Sequence, residues 1–227
     1  MCGGDSKLGI QSALDMFQDT ATIHAESVDL GPTAMDRNNS FWVITKTRIH
    51  ILRMPKMLEE VASNTWIQKC ERASCERDYS ITSGDETLAY GRSIWAVVSH
   101  ETGRLLHLDK MYPDVEFTVP VPDDRPFVRI GRDFDGCEVI GEYKVRSIDI
   151  DLGGHMNNVN YVRAMLGCFS SEELAALNIT EIETNFLAQT FEGDTLTFRR
   201  RDFEGGFDIG AAGSDGKTAF AARVTLG

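Results

Sequence analysis

The chain has 227 residues, 42% of them hydrophobic, and a formal net charge of −12. That length buries roughly 70–75% of the unfolded surface, in one large domain or two small ones, and the negative charge excludes non-specific attraction to nucleic acid. No apolar run approaches the ~20 residues that span a bilayer, and the first residues lack the basic-then-apolar order of a secretory signal. A cytoplasmic protein with no membrane partner is expected. Cys2, Cys70, Cys75, Cys137 and Cys168 are odd in number and irregularly spaced. That is no disulfide framework and suits a reducing compartment. Cys70 and Cys75 have no second pair and no nearby histidines, so no metal site is expected.

The first helical pattern runs from Leu8 to Val28. Ile10, Leu14, Phe17, Ala21, Ala25 and Val28 recur at three- and four-residue steps, one buried stripe. Gly31-Pro32 stops it. Strands are expected from Phe41 to Met54, Glu59 to Gln68, Ala73 to Thr82 and Leu88 to Ser99, with Ser83-Gly84-Asp85-Glu86 as a hairpin turn. From Tyr112 to Cys137 the character changes. Four of the six prolines fall here, Pro113, Pro120, Pro122 and Pro126, and residues 113–136 are expected to form a surface linker.

The second half repeats the order. A strand from Cys137 to Ile148 precedes a helix from Met156 to Gly167, and strands follow at Ile182 to Ala188, Thr195 to Asp202, Gly206 to Ala212 and Thr218 to Thr225. Lys7–Leu14 aligns without a gap against His155–Val162, with apolar residues matched at Leu8/Met156 and Leu14/Val162. The chain is a tandem α+β repeat, with halves at 1–112 and 137–227. The first half starts at the loop and lacks the strand that precedes it in the second, so either that strand is missing or the native N-terminus is longer.

Ser147 to Tyr161 carries the densest chemistry. Asp151 is expected to end a strand and His155 to open a helix. Gly153 and Gly154 let the backbone turn sharply and let a carbonyl approach main-chain N–H groups. The first N–H groups of a helix lack internal partners and can stabilise a growing negative charge. A carboxylate beside them can activate water or attack directly. Read from these residues alone, Asp151 is as readily a turn or helix-cap residue, and His155 a structural histidine.

Asp151-Leu152-Gly153-Gly154-His155-Met156-Asn157-Asn158-Val159-Asn160-Tyr161 resembles the Asp-x-Asn-x-His-x-Asn-Asn-x-x-Tyr motif of the acyl-acyl carrier protein (acyl-ACP) thioesterases. Trp42-Val43-Ile44-Thr45, Ile51-Leu52-Arg53-Met54-Pro55-Lys56, and Ser93-Ile94-Trp95-Ala96-Val97-Val98 with Glu101-Thr102-Gly103-Arg104 are similar to the same family. The resemblance implies a tandem (double) hotdog fold, two antiparallel sheets each wrapping a central helix. It implies hydrolysis of fatty acyl thioesters on acyl carrier protein, without a cofactor. It gives Asp151 the central role, His155 a positioning one, and Asn157 and Asn158 the task of fixing the loop. The family's asparagine two residues after the aspartate is Gly153 here. Its acidic residue four before Gly193-Asp194-Thr195-Leu196 is Gln189, which holds water by hydrogen bonds but takes no proton at neutral pH. Glu192 on an alternating strand would face away from Gln189.

Lys7 stands where the second half has His155, so the first half is expected to shape the acyl pocket through Phe17, Met16, Trp42, Ile44 and Met54, positions that also suit plain core packing. Lys46, Arg48, Arg53 and Lys56, the run Arg199–Arg201, and Lys144 with Arg146 are the candidate docking charges for an acidic carrier, or equally solvated strand edges. Acyl-coenzyme A hydrolysis and acyl binding without turnover are the alternatives, and a homodimer stays open. A nucleotide enzyme lacks its glycine pattern.

Overall fold

Helix α1, Ile10–Ser27, forms on the apolar stripe and buries Ala13, Leu14, Phe17, Ala21 and Ala25. Val28, expected on that stripe, instead ends the helix and is 47% exposed, because Asp29 turns the chain with a φ of 58°. The computed structural model describes residues 7–108, 119 and 122–227. These divide into two compact units, Lys7–Pro126 and Phe127–Gly227.

In the first unit Gly31-Pro32 starts a second helix where a stop was expected. Pro32 is the first residue of α2, Pro32–Arg37, a position whose N–H has no intrahelical partner and so loses nothing. Strands β1 (Ser40–Ile51), β2 (Ala62–Cys70), β3 (Cys75–Ser83) and β4 (Glu86–Ser99) follow and lie antiparallel in the order β2-β3-β4-β1. Gly84, with φ 54°, makes the β3–β4 turn. The α1 stripe rests on β2 and β3, with Phe17 stacked on Tyr79 at 4.7 Å. Gly91 makes room for this contact: a Cβ there would lie 2.5 Å from the Phe17 ring.

In the second unit β5 is Glu138–Lys144, shorter than expected. Ser147–Asp149 is a 3-10 turn, not strand, and α3 is Asn158–Leu166. Helix α4, Ser171–Ala176, was not foreseen. Ser170 and Glu173 cap it reciprocally, a capping box. Strands β6 (Ile179–Phe186), β7 (Thr195–Phe203), β8 (Gly206–Ala212) and β9 (Thr218–Leu226) complete an antiparallel set in the order β6-β9-β8-β7-β5. Tyr161 of α3 stacks on Phe220 of β9 at 5.4 Å and meets the edge of Phe186 of β6 at 5.8 Å.

The internal repeat has a structural counterpart. The gapless alignment that pairs Lys7 with His155 also pairs Ile10 with Asn158, the first residues of α1 and α3. It pairs Leu8 with Met156. Each donates its N–H to a distant loop carbonyl at 2.8 Å, Leu8 to Pro55 and Met156 to Thr190. Among the described residues, the first unit has no strand before α1.

Of the expected linker, residues 113–118, 120 and 121 lie outside the described residues. The rest is mostly exposed and is anchored at several points. The buried Arg48 guanidinium donates to Asp123 Oδ2 at 3.1 Å and to the carbonyls of Arg125 and Pro126. Ile130 and Phe134 pack with Ala221 in the second unit, and Gly210 leaves space for the Phe134 ring.

Candidate active site

The loop from Ile150 to Met156 is a small closed hairpin. Ile150 and Met156 form an antiparallel bridge, the Asp151 N–H donates to the His155 carbonyl at 3.0 Å, and the Gly154 N–H returns to the Asp151 carbonyl at 3.0 Å. Gly154 adopts a φ of 78°, a left-handed conformation that favours glycine. The Asp151 carboxylate accepts the Gly153 N–H at 2.8 Å through Oδ1. The same oxygen lies 3.5 Å from His155 Nδ1, with the two side chains 27% and 15% exposed. The expected pair is therefore brought together, partly buried and open to solvent on one side.

His155 does not open a helix. It sits three residues before α3, whose N-cap is Asn157. The Asn157 side chain accepts the Val159 N–H at 2.9 Å, and its carbonyl accepts the Asn160 N–H at 2.9 Å. Two of the helix N–H groups expected to meet a developing oxyanion are thus already engaged. The Asn157 side chain caps α3, and Asn158 is the first helical residue, half-buried.

What holds the loop is a residue that sequence reasoning passed over. Asp149 is fully buried. Its Oδ2 accepts the Tyr143 hydroxyl and the Arg146 N–H, both at 2.8 Å, and its Oδ1 pairs with the Arg163 guanidinium from α3. Its main-chain carbonyl accepts the Asn157 N–H at 2.8 Å and the Asn160 side chain at 3.1 Å. Both ends of the hairpin are therefore referred to one residue. Burial and the hydrogen bond to Asp149 raise the Tyr143 hydroxyl above its ordinary value, so it stays a donor. The alternation Asp149-x-Asp151 was the available signal, but nothing local tells which aspartate faces inward.

Gln189 is exposed and lies in a loop beyond β6, not on a strand, so the alternation argument about Glu192 does not apply. Its neighbour Thr190 is fixed: the Tyr161 hydroxyl donates to Thr190 Oγ1 at 2.6 Å, and the Thr190 carbonyl receives the Met156 N–H. Residue 189 is thereby placed in the chain beside the hairpin's end. Gly153 is cramped. A Cβ there would lie 2.7 Å from His155 Nε2 and 3.1 Å from Asp151 Oδ1. The side chain that the family motif carries at this position has no room while His155 occupies its present place.

In the first unit Phe17 is core and Ile44 is 9% exposed, while Trp42 and Met54 are half-buried. Trp42 donates its indole N–H to the Leu30 carbonyl at 2.8 Å. The expected basic patches are largely consumed internally. Arg48 is buried, Arg53 is paired with Glu59 and Glu86, and Arg201 with Asp208. Arg200 pairs with Asp202 and lies over the Phe207 ring. Lys144 and Arg146 remain exposed next to the site. Among the described residues no group of His, Cys, Asp and Glu gathers as a metal would require, and no helix is long and apolar enough to cross a membrane.

Residues 1–115 match the sequence model of the acyl-ACP thioesterase N-terminal domain, and residues 136–220 match that of the acyl-ACP thioesterase C-terminal domain. The chain belongs to the acyl-ACP thioesterase family. An acyl-[acyl-carrier-protein] hydrolase of Cuphea viscosissima, a chloroplastic protein, is 27% identical over 199 residues, 78% of this chain and 47% of that one. The palmitoyl-acyl carrier protein thioesterase of Arabidopsis thaliana, also chloroplastic, is 25% identical over 213 residues, 87% of this chain and 48% of its own. The chain thus spans about half the length of the curated relatives it matches. An acyl-ACP thioesterase structure from Bacteroides thetaiotaomicron superposes with a TM-score of 0.86 at 21% identity, over 99% of this chain and 92% of that one. The 12:0-ACP thioesterase of Umbellularia californica gives 0.85 at 19% identity, over 100% and 92%. The fold is the tandem hotdog of this thioesterase family: in each unit a helix, α1 or the shorter α3, lies against an antiparallel sheet.

Proposed function

We propose that this acyl-ACP thioesterase family member is a hydrolase that releases free fatty acid from acyl carrier protein in fatty acid synthesis. The observation that carries the reading is the Asp151 carboxylate, held by the Gly153 N–H and facing His155 on a pinned, solvent-reached hairpin. In this reading Asp151 takes a proton from water as the water oxygen attacks the thioester carbonyl carbon. The tetrahedral intermediate expels the thiolate, which recovers the proton from Asp151, directly or through His155. The imidazole positions the water and the carboxylate. The exposed Lys144 and Arg146 give the acidic carrier a local attraction that the net charge of −12 denies it elsewhere. A cytoplasmic location remains part of the proposal.

The deciding experiment measures thiol release from acyl carrier protein and coenzyme A thioesters of several chain lengths. Faster turnover of the carrier thioesters supports the proposal, and faster turnover of the coenzyme A thioesters moves the substrate class. Saturable acyl binding with no thiol released from either would make the protein a binder, the outcome towards which Gly153 and the amide at Gln189 lean.

Two variants probe the departures from the family motif. Gly153→Ala is expected to push the His155 ring aside and lower kcat on the order of 10²-fold, the usual consequence of displacing a positioned group by about 1 Å. The unfolding midpoint should barely change, because Gly153 is exposed. An unaltered kcat would release His155 from its positioning role. Gln189→Glu is expected to raise kcat by adding a proton acceptor beside the hairpin, and an equal or lower rate would remove residue 189 from the reaction.

A further inference from the structure

Cys70 and Cys75 are direct cross-strand partners at the end of the β2–β3 hairpin. Beyond them the Glu71 N–H closes the turn on the Ser74 carbonyl at 2.7 Å. Directly opposed residues of an antiparallel pair hold their α-carbons about 4.5–5.5 Å apart, inside the roughly 4.4–6.8 Å that a disulfide spans. Both residues are free thiols, Cys70 half-buried and Cys75 buried. Their register pairing thus places them within the separation that a disulfide bridges.

We propose that Cys70 and Cys75 form a reversible modification site, a cross-strand dithiol that a small-molecule disulfide of the glutathione class converts into an intramolecular disulfide. Cys70 is the attacking sulfur, since it is the one that solvent reaches. A hydrogen bond from Cys75, aided by the nearby Arg77 charge, holds its thiol below the ordinary value against the opposing effect of burial. The same hydrogen bond, with burial, pushes the Cys75 thiol up.

The Cys70 thiolate attacks one sulfur of oxidised glutathione. The glutathione S–S bond breaks, one glutathione thiolate leaves and takes a proton from solvent, and a mixed disulfide remains on Cys70. With the Cys70 thiolate gone, Cys75 loses the main cause that keeps its proton. It ionises to solvent, attacks Cys70 Sγ and displaces the second glutathione. Two protein thiols are oxidised to one disulfide, and one glutathione disulfide is reduced to two thiols.

The site lies in the first unit, apart from the Asp151 hairpin, so it does not depend on the reaction proposed above. Cys75 stands opposite Trp95 in the β3–β4 register, and Trp42 and Trp95 pack on the same core cluster as Cys75. A disulfide quenches nearby indoles, which supplies a spectroscopic readout.

The test incubates the intact chain, under native conditions, with oxidised glutathione, then alkylates, digests and weighs the peptides. The expected product is lighter by two hydrogens and carries a Cys70–Cys75 cross-link. Cys137 and Cys168 stay alkylatable, tryptophan emission falls, and dithiothreitol restores both mass and emission. Cys70→Ser and Cys70→Ala should lose the cross-link and the emission change. A stable glutathione adduct on Cys70 with Cys75 still alkylated would overturn the proposal. So would a bridge to any other cysteine, or an unchanged thiol count in the folded wild-type chain.

Discussion

Asp151→Asn is expected to lower kcat for thioester hydrolysis by on the order of 10²–10⁴-fold while leaving the fold intact, because that range is what a positioned general base contributes. Asparagine has nearly the shape of aspartate, and its amide oxygen can still accept the Gly153 N–H that Asp151 Oδ1 now receives at 2.8 Å. The loop therefore loses no backbone contact. What disappears is the ability to take a proton from water or to attack as a carboxylate. KM should move by less than about threefold, since an interaction made only in the transition state appears in kcat. Thiol-release kinetics on acyl carrier protein thioesters, beside circular dichroism of the same sample, check both halves. A variant that keeps a tenth or more of the wild-type rate would take the chemistry away from Asp151.

The second large effect concerns the aspartate that does no chemistry. Asp149→Ala removes a buried carboxylate from the Tyr143 hydroxyl, the Arg146 N–H and Arg163. Breaking a buried pair by deleting one partner costs about 3–5 kcal/mol. The lower end applies here, because the Arg163 side chain is 42% exposed and can turn to water. Asp149→Asn keeps one acceptor and should cost about 1–3 kcal/mol, the usual range for an unsatisfied buried group. Both variants should loosen the Ile150–Met156 hairpin, since the Asn157 N–H is anchored on the Asp149 backbone. Denaturant unfolding gives the stability change. Hydrogen exchange at Gly154 and Asn157 tells loosening of the loop from global loss. A change below about 0.5 kcal/mol for Asp149→Ala would show that the buried carboxylate holds nothing in place.

These two aspartates mark how far the sequence could be read. Asp151 was legible because it stands in a motif with His155, Asn157 and Asn158. Asp149, two residues earlier, was invisible, because its role comes from Arg163 and Tyr143, fourteen residues after it and six before. The basic runs misled for the same reason. Arg48, Arg53 and Arg201 read as surface charge until folding brings their partners beside them, Asp123 and Glu86 from distant segments and Asp208 from the facing strand of the same hairpin. Gln189 was placed by counting back from Gly193 as if the strand continued. In fact β6 ends at Phe186, and a loop fixed by Thr190 follows.

By itself the sequence determined the main helix-then-strands order of each half, the tandem repeat and the segment that carries the candidate pair Asp151 and His155. Those features rest on local periodicity, turn residues and residue spacing, which are written along the chain. Only the tertiary structure decided that His155 stays outside the helix, that Asp149 clamps the loop, that Gly153 has no room for a side chain, and that Cys70 faces Cys75 in register. Each of these depends on which atoms burial, turn geometry and strand pairing bring together, whether two residues apart, as Gly153 and His155, or fourteen, as Asp149 and Arg163, and residue types along the chain carry no record of that.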